Sequence, residues 1–262
     1  QALIDQDLLK IGAIRVDLAA ASALVGLLGD LYEDQGATFP YDVPVPAGTT
    51  DYTQFILGAQ QAGVDGVTMS LGEQEAVQVA KAGQQLNSDL PIATSLGTFP
   101  HSSVADLGDY ADKMLFVGAF PPATVEGIPV YQALLDDLAS TGNEQLQPEN
   151  LKTSPMRSWI GLYALLKMIR DAGMTDFTRE GITQMLHDAK DVPMLGMYGD
   201  ENWTPNLDHP GIFKRAGMNH WAVYKWNPDA KSIAGDGNFE EVSTMSFDEV
   251  LCGSPFGAPE PC

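Results

Sequence analysis

The sequence predicts an α/β fold, with one doubly wound parallel-sheet lobe and a helical part that belongs to a second lobe. Three observations carry this. Short apolar runs alternate with amphipathic stretches five times within about 120 residues, the pattern of βα units. The stretch YDVPVPAGTTDYTQFILGAQQAGVDGVTMS (41–70) joins a strand, a capped helix and a strand by short connections, which requires a parallel pair. Finally, AFPPATVEGIP (119–129) carries three prolines and no periodicity, so it reads as a linker.

Taken in order, KIGAIRV (10–16) is a buried strand, and the Ala/Leu-rich 18–36 is a helix ending at Gly36. A strand covers Phe39 to Val45. Thr50 or Asp51 caps the helix 51–62, with Gln54 completing a capping-box-like pair and Tyr52, Phe55, Ile56 and Ala59 at helical spacing. Gly63 ends it. A strand at 65–70 follows, then a helix at 73–86 with Ala76, Val77, Ala80 and Leu86 toward one side. Next come a strand at 90–95, a short helix capped by Ser102 or Ser103 and running to Tyr110, and a strand at 114–118. Beyond the linker only helices are expected up to about 190. They run from Tyr131 to Ala139, from Met156 to Ala172 with Trp159, Ile160, Tyr163, Leu166 and Ile169 on one face, and from Arg179 to Ala189 after a Thr178 cap. HWAVYKWNPDAKSIAG (220–235) reads as a hairpin turning at Asn227, Pro228 and Asp229, with Ala222, Tyr224 and Trp226 on one side.

Composition narrows the function. With 262 residues and 44% hydrophobic ones the chain can build a full core. Its 14 Lys and Arg against 35 Asp and Glu leave a net charge of −21, which repels nucleic-acid phosphates and anionic lipid surfaces. No nucleic-acid partner is therefore expected; a salt-rich or extracellular setting suits the charge. The two cysteines, Cys252 and Cys262, close the Gly/Pro-rich tail CGSPFGAPEPC. A disulfide between them and an extracytoplasmic location go together, two unlinked thiols being the alternative. No run approaches the roughly 20 apolar residues of a membrane span, and no signal sequence opens the chain, so any signal peptide or lipid anchor has been removed.

Chemistry-bearing motifs are sparse. HExxH, P-loop, GxGxxG and GxSxG patterns do not occur. His101, His187, His209 and His220 are scattered without carboxylates at metal-ligand spacing, so neither a metal nor a cofactor is expected. Ser154 reads as a helix-start residue, Met185, Met194 and Met197 as packing, and Trp203 as a loop anchor or cleft residue.

The order of parts resembles the type 1 periplasmic binding fold, and within it the branched-chain amino acid binding proteins of ABC importers. VPVPAGTTDYTQFILGAQQAGVDGVTMSLGEQEAVQVAKAGQQL is similar to the family's strand, capped helix, G-x-D-x-V strand and helix, and WAVYKWNPDAKSI to its closing hairpin. The resemblance implies two lobes joined by three crossovers around a small solute. Measured against it, this chain begins near the first crossover and lacks the first lobe's own sheet. Residues 1–118 and 217–262 would form the α/β lobe, and 119–216 the helical part of the other with the crossover linkers. The face of Trp159, Tyr163 and Ile169 would then cover a sheet supplied by a missing first-lobe segment or a partner chain.

In an open α/β sheet, ligands gather beyond the carboxyl ends of the strands. Those positions are Asp17 to Ser22, Ser70 to Glu73 and Ser95 to Phe99, and the resemblance makes the same three loops line the cleft. The candidate ligand-binding residues are Asp17, Ala21 and Ser22; Ser70, Leu71, Gly72 and Glu73; and Ser95, Leu96, Gly97, Thr98 and Phe99. Ser70, Ser95 and Thr98 serve equally as caps or turn formers, and Glu73 as a helix-dipole partner. Amino acid binders often have an aromatic residue where Ala21 stands and an acidic group near Leu96, so a solute other than a standard amino acid is expected. The resemblance implies an extracellular or periplasmic solute-binding protein, lipid-anchored in some full-length forms, that closes on its solute and delivers it to an ABC permease. A ligand-sensing receptor is the alternative, and an α/β enzyme the third reading.

Overall fold

The structure is a computed structural model. It describes residues 1–122, 124, 127–143, 147–151, 153–175, 177–192 and 220–246, apart from the side chains of Asp34, Thr153, Ser154 and His220. Strand β1 (Lys10–Val16) is buried from Ile11 to Arg15, as a parallel strand covered on both faces must be. It pairs in parallel with β2 (Thr38–Val45) on one side and β3 (Gly66–Ser70) on the other. Parallel pairing continues to β4 (Ile92–Ser95) and β5 (Met114–Gly118). β6 (His220–Ser232) and β7 (Gly235–Ser246) complete a sheet of seven strands in the order β2-β1-β3-β4-β5-β6-β7. The chain therefore reverses direction across the sheet between β1 and β3, its topological switch point.

Right-handed crossovers put α1 (Ala19–Asp34) on one face and α2 (Thr53–Gln61) and α3 (Glu73–Gln85) on the other. Two rings of β2 follow this division. Phe39 meets Tyr32 of α1 at 5.7 Å, whereas the Tyr41 hydroxyl donates to the Phe55 carbonyl of α2 at 3.0 Å. They face opposite ways although two apart in sequence because β2 carries an extra residue there: Lys10 and Gly12 stand level with Thr38 and Tyr41. Such a bulge reverses the side-chain alternation and accommodates Pro40.

Local chemistry sets the helix ends. Asp51 Oδ1 accepts from the Thr53 N–H at 3.0 Å, and the Gln54 amide reaches back to the Asp51 carbonyl at 2.9 Å. Within α3 only glycine fits at position 83, since a Cβ there would lie 2.1 Å from the Tyr110 hydroxyl; burial of that phenol pushes its pKa up to about 12. The helix expected from Ser102 or Ser103 to Tyr110 is in fact two pieces. α4 (His101–Ala105) starts directly after Pro100, so both serines lie inside its first turn, and Gly108 at φ +52° breaks it from a 3-10 turn at Gly108–Lys113.

The hairpin also departs from expectation. β6 runs through Asn227, Pro228 and Asp229, and the turn falls at Ile233 and Ala234. The Asn227 side chain folds onto the Asp229 N–H at 2.9 Å and donates to Glu240 at 2.7 Å, so the turn signal is absorbed locally. Gly235 and Gly237, at φ +122° and +85°, supply the unusual backbone instead. A row of edge-on rings then locks the hairpin: Phe99–Phe116 at 5.5 Å, Phe116–Phe239 at 5.1 Å, Phe239–Trp226 at 5.2 Å and Trp226–His101 at 4.9 Å. His101 Nε2 donates to the Gly237 carbonyl at 2.9 Å, which fixes its tautomer.

Two compact units result: residues 1–118 with 223–243, and the described parts of 119–222 and 244–262. The second contains α5 (Pro129–Ala139), α6 (Thr153–Asp171) and α7 (Arg179–Asp188), the last capped by Thr178, whose hydroxyl accepts from the Gly181 N–H at 3.1 Å. Its core joins Val130, Tyr131 and Leu134 of α5 to Met156, Ile160, Ala164 and Met168 of α6. Spacing by four turns that buried stripe inward. The other side of α6 is poorly covered, with Leu162 and Leu166 each 55% exposed and Ile169 half-buried; of the face expected to cover a further sheet, Trp159 and Tyr163 instead pack against this core, the Trp159 indole N–H donating to Asp137 at 3.0 Å. Cys252, Cys262, Met194, Met197, Trp203 and His209 lie outside the described residues.

Candidate functional site at the carboxyl edge of the sheet

Parallel pairing brings the ends of β1 to β5 to one edge, with Arg15 level with Ser70, Val16 with Val45, and Ser95 with Val117. The loop after β1 turns tightly, the Leu18 N–H bonding the Val16 carbonyl at 2.9 Å. Neither Leu18, the N-cap position of α1, nor Gly72, that of α3, offers a side-chain cap. The two helices on either side of the switch point thus start without a cap from their own N-cap side chains. After β4, Ser95 Oγ accepts from the Gly97 N–H at 3.3 Å and the Thr98 hydroxyl donates to the Ser95 carbonyl at 2.7 Å, folding 96–98 into a 3-10 turn.

The twelve expected residues divide by depth. Asp17, Ser22, Gly72 and Ser95 are exposed, and Ser70, Glu73, Gly97 and Thr98 half-buried, so the polar and glycine positions reach the edge. Ala21, Leu71 and Leu96 are each 8% exposed and Phe99 4%; these four form the floor. Leu18, by contrast, is 63% exposed, a large apolar side chain held at the mouth of the edge. A depression of about 470 Å³ borders the same edge, lined by Thr49, Thr50, Tyr52, Glu73, Gln74 and Gln78.

Beneath the edge lies a pair that the sequence reading omits. Arg15, 8% exposed, donates through Nε and Nη2 to the Asp42 carboxylate at 2.7 and 3.1 Å. This fork-to-fork contact ties β1 to β2. The hydrogen bond to Asp42 raises the Arg15 pKa still further above its ordinary value. Removing one partner leaves a buried charge, so Asp42→Asn is expected to cost about 2 to 3 kcal/mol, below the usual range for such losses because Asp42 is partly solvated. The double variant Arg15→Met, Asp42→Asn should recover most of it; urea denaturation of the wild type and the two variants is the check, and equal costs for single and double would refute the coupling.

The three loops contain no histidine, cysteine, lysine or arginine, and no group of three metal-ligating side chains occurs among the described residues. His101, the nearest histidine in sequence, is buried against the hairpin, sharing Nε2 with Gly237 and Ser232. What the edge offers is hydrogen bonding: hydroxyls of Ser22, Ser70, Ser95 and Thr98, carboxylates of Asp17 and Glu73, and helix N–H groups.

Such an edge, rich in hydrogen-bonding groups at a switch point, is where open α/β sheets take their ligands. Over residues 1–231 the sequence matches the periplasmic binding protein family, and the chain belongs to that family. The family works outside the cytoplasm, and no helix among the described residues is long and apolar enough to cross a membrane. No curated protein matches in sequence. Among solved structures, the fatty acid ABC transporter substrate-binding protein of Thermomonospora curvata superposes at TM-score 0.70 with 18% identity, covering 94% of this chain and 60% of that one. A solute-binding protein of an ABC transporter from R. palustris, in complex with 4-hydroxybenzoate, gives 0.70 with 15% identity, covering 94% and 62%. The leucine-, isoleucine-, valine-, threonine- and alanine-binding protein of Brucella ovis gives 0.70 with 16% identity, covering 99% and 63%. The chain thus spans less than two thirds of the length of these proteins, and at these identities the likeness is one of fold.

Proposed function

We propose that the chain is the solute-binding part of an ABC importer, taking up a small organic solute outside the cytoplasm, free or lipid-anchored, and presenting it to a membrane permease. The observation that carries this reading is the convergence of two helix starts uncapped by their own N-cap side chains and a hydroxyl-rich turn at the switch point of the sheet. The three loops bind the solute through Asp17, Ser22, Ser70, Gly72, Glu73, Ser95, Gly97 and Thr98, over a floor of Ala21, Leu71, Leu96 and Phe99. Lobe closure would then bury the solute. The uncovered side of α6 fits the same reading, with Leu162, Leu166 and Ile169 packing on further polypeptide of the complete protein or on a partner chain.

The fold neighbours named for fatty acid, 4-hydroxybenzoate and amino acids from leucine to threonine leave the solute open. For this chain we favour a solute without an ammonium group. Ala21 and Leu96 are buried and apolar, Asp17 is exposed, and Glu73 lies in the first turn of α3, where the helix itself favours its charge. An ammonium buried without a partner would cost several kcal/mol. Calorimetric titration of the full-length secreted protein with leucine, isoleucine and valine is expected to give no micromolar binding, and native mass spectrometry should find a small solute of another class. Micromolar affinity for any of the three would overturn the solute assignment.

A further inference from the structure

We propose that the depression beside the solute loops is a subsite for a neutral polyhydroxylated group such as a sugar ring; this rests on the solute-binding reading above and names the solute class. The depression lies wholly within the first compact unit. Its volume of about 470 Å³ falls in the range of small-ligand sites, roughly 300 to 1,000 Å³. The chain entering α2 supplies Thr50 and Tyr52, α3 supplies Glu73, Gln74 and Gln78, and α4 supplies Ser103. Glu73 belongs both to this lining and to the 70–73 loop, so a solute held by the loops can extend into the depression without leaving the unit.

The chemistry of the lining selects the class. Among the described residues, the side chains of Thr50, Tyr52, Gln74, Gln78 and Ser103 make no hydrogen bond to another residue. Gln74 and Gln78 are exposed and stand side by side, four positions apart on α3. Hydroxyls and carboxamides each donate and accept, as every hydroxyl of a sugar does, so the two sets satisfy one another without any change of protonation. Tyr52 adds a half-buried ring, 6.1 Å from the ring of Phe55, which is itself 4% exposed. An aromatic face of this kind suits the apolar C–H face of a sugar, whose hydroxyls then project to the polar groups around it. Other classes fit poorly. No lysine, arginine or histidine lines the depression, and Glu73 sets a carboxylate on it, so an anion meets no counter-charge. A wholly apolar solute would strip water from these side chains and replace none of their hydrogen bonds. A hard cation wants several oxygen ligands with charge among them, and Glu73 is the one carboxylate here.

The test uses the full-length protein and calorimetric titration with glucose and galactose, each paired with its uronate, which adds one carboxylate to the same ring. The wild type should bind at least one of the sugars, roughly tenfold more tightly than its uronate. The double variant Gln74→Ala, Gln78→Ala should weaken the sugar about tenfold, and Gln78→Lys should reverse the preference toward the uronate by supplying the missing cation. Both glutamines are exposed, so equal thermal midpoints are expected. Should a midpoint fall, the sugar-to-uronate ratio of Gln78→Lys still decides, since a folding defect lowers both affinities together. A wild type that binds neither sugar, or binds each no better than its uronate, overturns the proposal, as does undiminished affinity in the double variant. In that event a native mass spectrum separates the two readings: a carried solute without a hydroxyl-rich group leaves solute binding intact, and a protein that carries and binds no small molecule sinks both.

Discussion

Gly237→Ala should lower the stability of the α/β unit by about 2 to 5 kcal/mol. Two costs combine. At φ +85° a residue with a Cβ is strained, by about 1 to 2 kcal/mol. The added Cβ would also fall 2.0 Å from Trp226 Cζ2, and overpacking of this kind costs about 1 to 3 kcal/mol. Trp226 cannot retreat freely, because its ring abuts both Phe239 and His101. Moving it disturbs the His101 bond to the Gly237 carbonyl, the tie between α4 and the hairpin. Urea unfolding followed by tryptophan emission measures the loss; a midpoint within error of the wild type would show that the hairpin does not pack on α4 as described.

Phe116→Ala follows, at about 3 to 5 kcal/mol, the range for a buried phenylalanine truncated to alanine. Its side chain is 0% exposed at the middle of β5, with Phe99 against one edge and Phe239 against another. Neighbouring strands hold the backbone, so the cavity collapses only in part. Because Phe99 closes the 95–99 loop, solute affinity should fall along with stability. Phe116→Leu keeps most of the volume and should cost less than half as much. The urea midpoint checks the first claim and calorimetry the second, and a cost below about 1 kcal/mol for the alanine variant would contradict close packing at this position.

Strands were legible where the sheet is buried. KIGAIRV and MLFVG coincide residue for residue with β1 and β5, because a parallel strand covered on both faces is a continuous apolar run bounded by polar residues. The Asp51 and Thr178 caps were legible for a similar reason, their partners lying two and three residues away. The hairpin turn was not. Asn227-Pro228-Asp229 is a strong local signal, and it lost to glycines whose value depends on Trp226 and His101, far away in sequence. Likewise, strand direction alone located the three loops, but no local pattern links Arg15 to Asp42, 27 residues on. Nor does sequence tell which loop residues form the floor: Leu71 and Leu96 follow their strands directly, yet turn inward.

The bulge in β2 bears on behaviour in concentrated solution. β2 is one margin of the sheet, where a stranger's strand could add by hydrogen bonding. Pro40 and Pro44 remove two amide donors from that margin, and the extra residue beside Pro40 breaks its register with any straight newcomer. At the opposite margin β7 shows Asp236, Glu240 and Glu241 to solvent, so a second copy arriving there meets its own sign of charge. A sheet blunted at both ends, on a chain of net charge −21, can be crowded without growing into fibres.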